Sequence, residues 1–324
     1  MAEKNKARPD LYYYENSYHS QGFGDICGID EAGRGPLAGP VFAAAVILGD
    51  EKIEGLDDSK KLSEEKREAL FDKITRNASA YAVAFCNEKE IDKINILQAS
   101  LEAMRRAAGG LSVKPSLALV DGDQNPKLDV KTVCIVGGDA KSASVAAASI
   151  LAKVSRDRYM TVLDQKYPGY GFAKHKGYPT KEHYKKLDEL GVSEIHRKTF
   201  LKKYEAARIG RAGENFAARY LEKQGFNILA RNWRCPYGEI DVIAENGEFL
   251  AFVEVKSRSE IFQALPCEAV DEKKRRKIIL AATAYLSERE SALQPRFDIM
   301  EIIVNPETGK IYKYRYIENS FWDK

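Results

Sequence analysis

The sequence predicts two α/β domains that follow one another along the chain. Short apolar runs rich in β-branched residues alternate with longer segments of helical periodicity, the pattern of strands and helices that share a sheet. The length of 324 residues suits two domains, at roughly 150 residues each. The alternation restarts after a basic segment, so we expect one domain over 1–205 and a second over 206–324.

The first domain is predicted to begin with a helix at Pro9–His19 and to continue with strands around a glycine-rich turn. The predicted strands are Ile26–Asp30, Val41–Leu48, Ala80–Cys86, Leu117–Val120 and Thr132–Val136. The predicted helices are Glu64–Arg76, Glu88–Ala108, Ser142–Gln165, Lys181–Leu190 and Arg197–Ala207.

The second domain is predicted to start afresh at Ile209–Gly213, after a boundary near residue 206. Gly213 and Gly225 then flank a helix at Glu214–Gln224. The strands predicted after it are Asn227–Ala230, Glu239–Ala244, Phe249–Val255, Phe297–Val304 and Ile311–Tyr316, with one helix at Ala269–Ser287.

Composition excludes several classes of protein. Hydrophobic residues make up 44% and charged residues 31% of the chain, which excludes collagen-like, low-complexity and largely disordered sequences. The longest apolar run, Val41–Leu48, is far shorter than the roughly 20 residues that span a bilayer, and residues 1–14 lack the apolar core of a signal peptide. We therefore expect a cytoplasmic protein with no membrane partner. The five cysteines form no CxxC pair, so neither a disulfide framework nor a zinc site is expected.

Carboxylates follow three of the predicted strands of the first domain. Asp30 and Glu31 end the first strand, Asp121 and Asp123 follow another, and Asp139 comes after a Gly-Gly turn. If these strands are neighbours, the acids converge and repel one another unless a divalent cation neutralises them. Oxygen ligands favour Mg²⁺ or Mn²⁺, and two such ions support in-line phosphodiester displacement. Any one of Asp121, Asp123 or Asp139, taken alone, is more typical of a turn residue than of a metal ligand.

Other features of the first domain bear on its chemistry. No Ser-His-Asp order suggests a covalent nucleophile, so water is the expected attacker. His175, His183 and His196 are eight and thirteen residues apart, which fits no metal-ligand pair on one helical turn. Lys166–Lys203 holds ten basic against four acidic residues with tyrosines between them, a pattern that suits either a nucleic-acid backbone or a solvated helix face.

Four motifs follow one another along the first domain: GIDEAGRGPLAGPV at 28–41, DSKKLS at 58–63, GGDAKSASVAAASILAKVSRDR at 137–158 and YGFAKHKGYPT at 170–180. Together they resemble the bacterial type 2 ribonucleases H, the ribonuclease HII family, over about residues 10–204. The resemblance implies an RNase H-like mixed sheet flanked by helices with a C-terminal helical extension. It also implies an endonuclease that cleaves RNA in RNA-DNA hybrids and incises 5′ to single ribonucleotides embedded in duplex DNA.

The same resemblance implies a role for particular residues. The carboxylates that would hold two Mn²⁺ or Mg²⁺ ions are Asp30, Glu31, Asp121 and Asp139, with Asp123 left as a neighbour of undecided role. The residues that would contact the ribose 2′-OH, the following sugar or phosphates are Gly33, Arg34, Gly35, Tyr178, Lys60 and Lys61. A 2′-OH is the group that distinguishes RNA from DNA at one site, and glycines let main-chain groups approach it.

A second constellation lies in the C-terminal domain. Period-two alternation places Glu254 and Lys256 on one face of a strand, and a hairpin would bring Asp241 beside them. Carboxylates could hold a divalent ion there while the lysine orients a water, and Glu214 on the first helix could complete the ligand set. The alternative is an ion pair on an exposed face of the sheet.

The segments GRAGENFAARYLEKQGF, NWRCPYGEIDVI and FLAFVEVKSRS resemble the YraN family, which is similar in pattern to restriction-endonuclease-like nucleases. The resemblance covers about 207–324 and implies a second, restriction-endonuclease-like α/β domain. Two interpretations stay open: a metal-dependent DNA endonuclease acting on branched or damaged DNA, or a non-cleaving module that tethers the ribonuclease to DNA. The basic run Lys273–Lys277 suits either DNA phosphates or solvent.

Overall fold

The chain divides into two compact units, with the division after Phe200. The computed structural model describes residues 10–259, 272–289, 291–306 and 308–321. Within these ranges, no helix is both long and apolar enough to cross a bilayer. Each unit contains one five-stranded sheet with helices packed on it, so the two predicted α/β domains are confirmed as a fold class.

The strands of the first unit are β1 (Ile26–Ala32), β2 (Val41–Leu48), β3 (Ala78–Cys86), β4 (Leu117–Asp121) and β5 (Lys131–Ile135). Its helices are α1 (Tyr13–His19), α2 (Glu64–Asn77), α3 (Glu88–Gly109), α4 (Ala143–Lys166), α5 (Phe172–His175) and α6 (Lys181–Leu190). The sheet order is β3-β2-β1-β4-β5, with β1 antiparallel to β2 and parallel to β4, and β4 parallel to β5. The mixed sheet predicted for this domain is therefore present.

The position of α4 against the sheet depends on two contacts at its start. A Cβ on Gly28 of β1 would lie 2.0 Å from the carbonyl carbon of Ser144, so only glycine lets the helix come this close to the strand. Buried Glu15 of α1 accepts hydrogen bonds at Oε1 from the Ser142 hydroxyl (2.6 Å) and the Ser144 main-chain N–H (2.8 Å). A carboxylate here is stabilised by the positive end of the helix dipole.

The second unit has the strands β6 (Asn227–Cys235), β7 (Gly238–Glu245), β8 (Phe249–Ser259), β9 (Gln294–Val304) and β10 (Ile311–Ile317). They are ordered β10-β9-β8-β7-β6, and only β8 and β9 pair in parallel. Helix α8 (Glu272–Ser287) packs on one face through Ile278 and Tyr285, and helix α7 (Lys198–Lys223) packs on the other through Ala217 and Leu221.

One predicted break in the chain is wrong. Residues 209–213 were expected to separate two helices, but a single helix, α7, runs from Lys198 to Lys223. Gly213 is needed for packing rather than for a turn, because a Cβ there would lie 1.7 Å from the Ser257 hydroxyl of β8. The helix α5 was not predicted, and the first residues of the helix expected at Ala269 lie outside the described ranges.

Candidate functional site

Four carboxylates gather at one edge of the first sheet. Asp30 and Glu31 lie near the carboxyl end of β1, Asp121 ends the adjacent parallel strand β4, and Asp139 follows β5 in a single 3₁₀ turn, Gly138–Ala140. Parallel neighbours end at the same edge of a sheet, so the convergence expected from the sequence follows from the strand order. Main-chain N–H groups hold two of the side chains: that of Glu31 donates to Asp30 Oδ1 (2.7 Å) and that of Gly138 to Asp121 Oδ1 (2.6 Å).

The electrostatics of these acids follow from burial and from their proximity. The Asp30 side chain is almost fully buried, and burial followed by repulsion from Glu31 and Asp121 raises its pKa well above the ordinary range. Burial also raises the pKa of Glu31, although the nearby Arg34 guanidinium opposes this, with Nη1 3.3 Å from Glu31 Oε1. Burial and the charge of Asp121 raise the pKa of Asp139. The nearby positive charges of Arg34 and Lys60 therefore offset burial and mutual repulsion only in part.

These features bear on whether a divalent cation fits the site. The donor set consists of carboxylate oxygens, which suit Mg²⁺ or Mn²⁺, and burial together with mutual repulsion raises the pKa of Asp30, Glu31 and Asp139. As the side chains stand, no three His, Cys, Asp or Glu residues of the described ranges form a ready-made coordination shell. Carboxylates this close repel one another, and a bound divalent cation would offset that repulsion.

The remaining residues predicted near this cluster differ in their placement. Lys60 Nζ lies 3.9 Å from Asp139 Oδ2, while Lys61 Nζ pairs with Asp57 (3.5 Å) and Asp58 (3.8 Å) of its own turn. Both lysine side chains are largely exposed, so both remain accessible to phosphates.

Asp123 lies outside the cluster. Its side chain is exposed and accepts a hydrogen bond from Gln124 Nε2 (3.2 Å). Asp58 was not predicted as a site residue, yet it exchanges a hydrogen bond with Asp139 and contributes to its raised pKa.

The loop after β1 is held from below by a buried arginine. Arg197 is fully buried and donates to the carbonyl oxygens of Gly33 (2.7 Å), Arg34 (2.8 Å) and Gly39 (2.7 and 2.9 Å). Because a trans peptide points its N–H opposite to its C=O, the N–H groups of Arg34 and Gly35 face away from Arg197. In the described part of the chain neither of them donates a main-chain hydrogen bond in the loop.

A second buried arginine supports the same loop. Arg156 donates to the carbonyls of Ala38 (3.2 Å), Pro40 (3.0 Å) and Lys176 (3.0 Å). Gly33 has φ +98°, and a Cβ there would lie 2.1 Å from Arg156 Nε. We call residues Gly33–Gly35 of this loop the GRG loop. Its first glycine, Gly33, is required both by its backbone conformation and by the Arg156 side chain packed against it.

Tyr178 stands beside this loop. Its ring is 39% exposed, and its Cε1 lies 3.8 Å from the position that a Cβ on Gly35 would take. The Tyr178 carbonyl accepts a hydrogen bond from His183 Nδ1 (3.0 Å), and His183 Nε2 bonds His196 Nε2 (3.0 Å). Burial lowers the pKa of both histidines to about 4, so both are neutral near pH 7. These rings support Tyr178 from within the core.

The site residues predicted in the C-terminal domain also lie close together. Lys256 Nζ lies 2.5 Å from Glu254 Oε1, as expected for two residues on the same face of β8. Asp241 stands next to this pair, where its Oδ2 accepts a hydrogen bond from the main-chain N–H of Val255 (2.7 Å). Burial, then the charge of Glu254, raises the pKa of Asp241 to about 7. Glu254 is only 2% exposed, which contradicts the alternative of an ion pair on an exposed sheet face.

Two further residues approach this site, one predicted and one not. Glu214 of α7 accepts a hydrogen bond from Asn232 Nδ2 (2.9 Å) and adds a small repulsion at Asp241. Lys274 of α8 places Nζ 3.0 Å from Glu254 Oε1. The sequence marked Lys274 only as part of a basic run, because its distance along the chain from Glu254 hid the contact.

Comparison with known proteins identifies both halves of the chain. A family model described as Ribonuclease HII matches residues 27–203, more than half of the chain. The chain belongs to the ribonuclease HII family. Residues 213–302 match a second model, described as Uncharacterised protein family UPF0102, the family of the YraN proteins. Both resemblances predicted from the sequence are confirmed, and the chain is an enzyme of the hydrolase class.

Individual relatives of the ribonuclease HII unit are similar over nearly their whole length. Ribonuclease HII of Vibrio parahaemolyticus is 52% identical over 200 residues, which cover 61% of this chain and 93% of the relative. Ribonuclease HII of Dechloromonas aromatica is 58% identical over 178 residues, covering 55% of this chain and 91% of the relative. Among solved structures, ribonuclease H2 from Pyrococcus horikoshii is 32% identical with a TM-score of 0.47 and covers 54% of this chain and 93% of its own.

Sequence reasoning missed the two buried arginines of the ribonuclease HII unit. Arg156 falls inside a recognised motif and Arg197 follows His196 directly, yet arginine is usually assigned to the surface. The available signal was weak: Arg156 lies on α4 four residues before the buried Met160, whereas Arg197 precedes the first residue of α7 and has no helical periodicity to mark it. Their contacts with loop carbonyls make them positioning residues for the GRG loop.

Proposed function

We propose that the N-terminal unit cleaves RNA in RNA-DNA hybrids and incises duplex DNA 5′ to single embedded ribonucleotides, leaving 5′-phosphomonoesters. The observation that carries the proposal is the meeting of Asp30, Glu31, Asp121 and Asp139 at one sheet edge, directly beside the GRG loop. Family membership supports the broader activity, hydrolysis of RNA paired with DNA. We expect the enzyme to act on chromosomal substrates in the cytoplasm.

The four carboxylates are the residues that would hold two divalent ions, Mg²⁺ or Mn²⁺. When bound, such ions activate a water and stabilise the charge on the leaving oxygen of a phosphodiester. Asp30 and Asp121 are partly preset for this task because a main-chain N–H group fixes one oxygen of each, and Asp30 also bonds the Ser149 hydroxyl. Lys60, 3.9 Å from Asp139, supplies positive charge where the scissile phosphate would approach.

Recognition of the ribonucleotide is assigned to the GRG loop and Tyr178. The N–H groups of Arg34 and Gly35 face away from the buried Arg197, and a ribose 2′-OH can accept hydrogen bonds from such groups. The exposed ring of Tyr178, close to Gly35, can pack on the sugar that follows. A deoxyribose at the first position would leave these donors without a partner, which disfavours DNA.

The test uses an end-labelled DNA duplex with one ribonucleotide, an all-DNA duplex and a four-way junction, each with wild type and the Asp30→Asn variant in Mg²⁺ and in Mn²⁺. Wild type should incise the ribonucleotide duplex on its 5′ side, and Asp30→Asn should not. If wild type leaves that duplex intact with both cations, the proposal for the N-terminal unit is wrong.

For the C-terminal unit we propose metal-dependent cleavage of DNA, with branched DNA as a candidate substrate. Support comes from the Asp241, Glu254 and Lys256 side chains, which lie together around the buried Glu254. Glu254 Oε2 is buried and has no hydrogen-bond partner within the described residues, so an oxygen ligand is present for a cation. Asp241 and Glu254 would hold that ion, and the Lys256 ammonium group can orient a water.

The same three nucleic acids also test this proposal. Junction or DNA cutting that survives in Asp30→Asn and disappears on adding Glu254→Ala would assign a second active site. If no such cutting occurs but removal of residues 206–324 weakens DNA binding, the unit is a tether for the ribonuclease instead.

A further inference from the structure

One part of the second sheet lies beyond α8, on the same face as that helix. Alternation along the strands defines this face, because Ile299 and Ile317 pack under α8 whereas Met300 and Tyr316 pack on the α7 side. The apolar cluster beneath α8 ends on β9 and β10 at Ile299 and Ile317. The strand register then places two further rows of side chains across β8, β9 and β10: Lys256, Glu301 and Arg315 in the first, and Arg258, Ile303 and Lys313 in the second.

The accessible charges of these two rows are positive. Lys313 and Arg315 are exposed, and Arg258 is partly exposed. Lys256 is less accessible and already pairs with Glu254 of the proposed site (Nζ to Oε1, 2.5 Å). The first three side chains, Arg258, Lys313 and Arg315, are therefore the ones available to an outside partner, and we call them the basic sheet surface.

The acid of the two rows is hidden. Glu301 is 3% exposed, and its Oε1 has no hydrogen-bond partner within the described residues. Burial raises the pKa of Glu301, and the charges of Arg315 and Arg258 oppose that rise. A carboxylate in this position weakens the field of the two arginines but puts no negative charge at the surface, where it would repel an anion.

The basic sheet surface adjoins the proposed C-terminal site and has a definite size. Neighbouring strands are about 4.8 Å apart and alternate residues of one strand about 7 Å apart, so its three residues and Lys256 form the corners of an area of about 10 by 7 Å. One strand of DNA carries a charge about every 3.4 Å of helix axis. An area of this size can therefore meet two or three successive phosphates.

We propose that Arg258, Lys313 and Arg315 form a DNA-binding surface of the C-terminal unit, which contacts the phosphate backbone beside the position of cleavage. Charge complementarity supports this, because basic side chains at the surface with their acid buried suit a polymer of repeated phosphates. The inference rests on the proposed C-terminal site for the position of the DNA, and it requires no cleavage. Binding by this surface needs no divalent cation.

The first test measures binding of a fluorescein-labelled all-DNA duplex by anisotropy in EDTA, with the full chain carrying Asp30→Asn. One double variant adds Arg258→Met and Arg315→Met. The matched control adds Arg219→Met and Lys223→Met at exposed positions of α7. The first should lower the slope of log affinity against log salt by about 1.8, or 0.9 for each phosphate contact, which is about 60-fold at 0.1 M relative to 1 M salt. The control should change the slope much less.

The sign of the electrostatic effect distinguishes a DNA contact from damage to the fold. Glu301→Gln should strengthen binding, because it removes the charge that opposes the two arginines and keeps the shape of the side chain. Adding Arg258→Met and Arg315→Met should cancel that gain. Replacement of both arginines by lysine should keep the salt slope, since the charges remain.

A second test excludes DNA bound at the ribonuclease unit as the source of the signal. Lys313→p-benzoylphenylalanine, irradiated in the full chain with the labelled duplex, should form a covalent protein-DNA crosslink, and Lys223→p-benzoylphenylalanine should not. Arg258→Met with Arg315→Met should abolish the crosslink at position 313. Inorganic phosphate at constant ionic strength should leave it unchanged, because a single ion does not meet several basic side chains in the way a strand does.

Three results would overturn the inference: equal salt slopes for the two double variants, crosslinking at position 223 as strong as at 313, or loss of the crosslink with inorganic phosphate, which would mark a site for a free anion. The outcome for cleavage is separate. If Asp30→Asn never cuts DNA but the slope and crosslink behave as expected, the surface stands and the nuclease proposal fails. If cutting depends on Glu254 while the arginine variant binds DNA like the control, the nuclease stands and the surface does not.

Discussion

Replacing Arg197 by Met tests whether the buried guanidinium supports the GRG loop. Arg197 makes four N–H···O contacts, of 2.7 to 2.9 Å, with the carbonyls of Gly33, Arg34 and Gly39. Methionine fills much of the same volume and donates nothing. The change therefore removes the donors from three carbonyls while it leaves the packing of the apolar part of the side chain nearly intact.

The magnitude follows from those contacts. A buried carbonyl that loses its donor costs about 1–3 kcal/mol, so three carbonyls cost roughly 3–9 kcal/mol. Removal of a buried cation offsets part of this loss, because burial and then the charge of Arg156 lower the pKa of Arg197 to about 9, which marks a penalty for burying the charged form. We expect a net loss of about 3–5 kcal/mol in the free energy of unfolding, or about 10 °C in melting temperature for a unit of this size.

The assay combines urea unfolding with cleavage of the single-ribonucleotide duplex below the melting temperature. Arg158→Met is the matched control, because Arg158 pairs with Glu68 on an exposed face and should cost less than about 1 kcal/mol. In Arg197→Met, kcat/KM for the ribonucleotide duplex should fall while the cation concentration for half-maximal rate stays unchanged. Unfolding free energies of Arg197→Met and Arg158→Met that agree within error would refute the role of the guanidinium.

Three other predictions concern the same unit. Asp121→Asn should abolish ribonucleotide-dependent cleavage without altering the circular dichroism spectrum, and a variant that keeps most activity would remove Asp121 from the metal site. Tyr178→Ala should reduce cleavage at an isolated ribonucleotide, measured as kcat/KM, more than it reduces Mn²⁺ affinity; equal cleavage by variant and wild type would contradict its contact with the sugar. Unfolded histidine takes up a proton near pH 6.5, whereas His183 and His196 in the folded protein do so only near pH 4, so their contribution to the unfolding free energy should fall as pH drops from about 6.5 to 4. Urea titrations at pH 7 and pH 5 check this, and His183→Gln should show a smaller decrease than wild type.

The positions of Asp30 and Asp121 at strand ends could be predicted from the sequence. Each directly follows a short apolar run, which is the pattern of a buried strand. The sequence was insufficient for their convergence, which depends on β1 and β4 being parallel neighbours, a long-range pairing without a local signal. The helix end predicted at Gly213 is wrong because glycine occurs both where helices end and where a helix packs closely on a strand. At Gly213 the second reason applies.

Cations whose partners are distant in sequence were the other failure of sequence reasoning. Arg197 and Lys274 belong to a residue class that is almost always solvated, so nothing in the local pattern distinguishes them from surface residues. Their roles become visible only when the partners are known, carbonyls of a distant loop in one case and a carboxylate on another element in the other.

The central place of β1 in its sheet has a consequence for how the ribonuclease opens. Hydrogen bonds flank β1 on both sides, to β2 and to β4, so its amides should exchange with solvent only in rare openings of the whole sheet. The GRG loop that follows is held by side-chain contacts instead and can detach in smaller excursions. If the loop opens to release product, Asp30 would stay in a preformed framework, and the acidic cluster would not have to reassemble in each turnover.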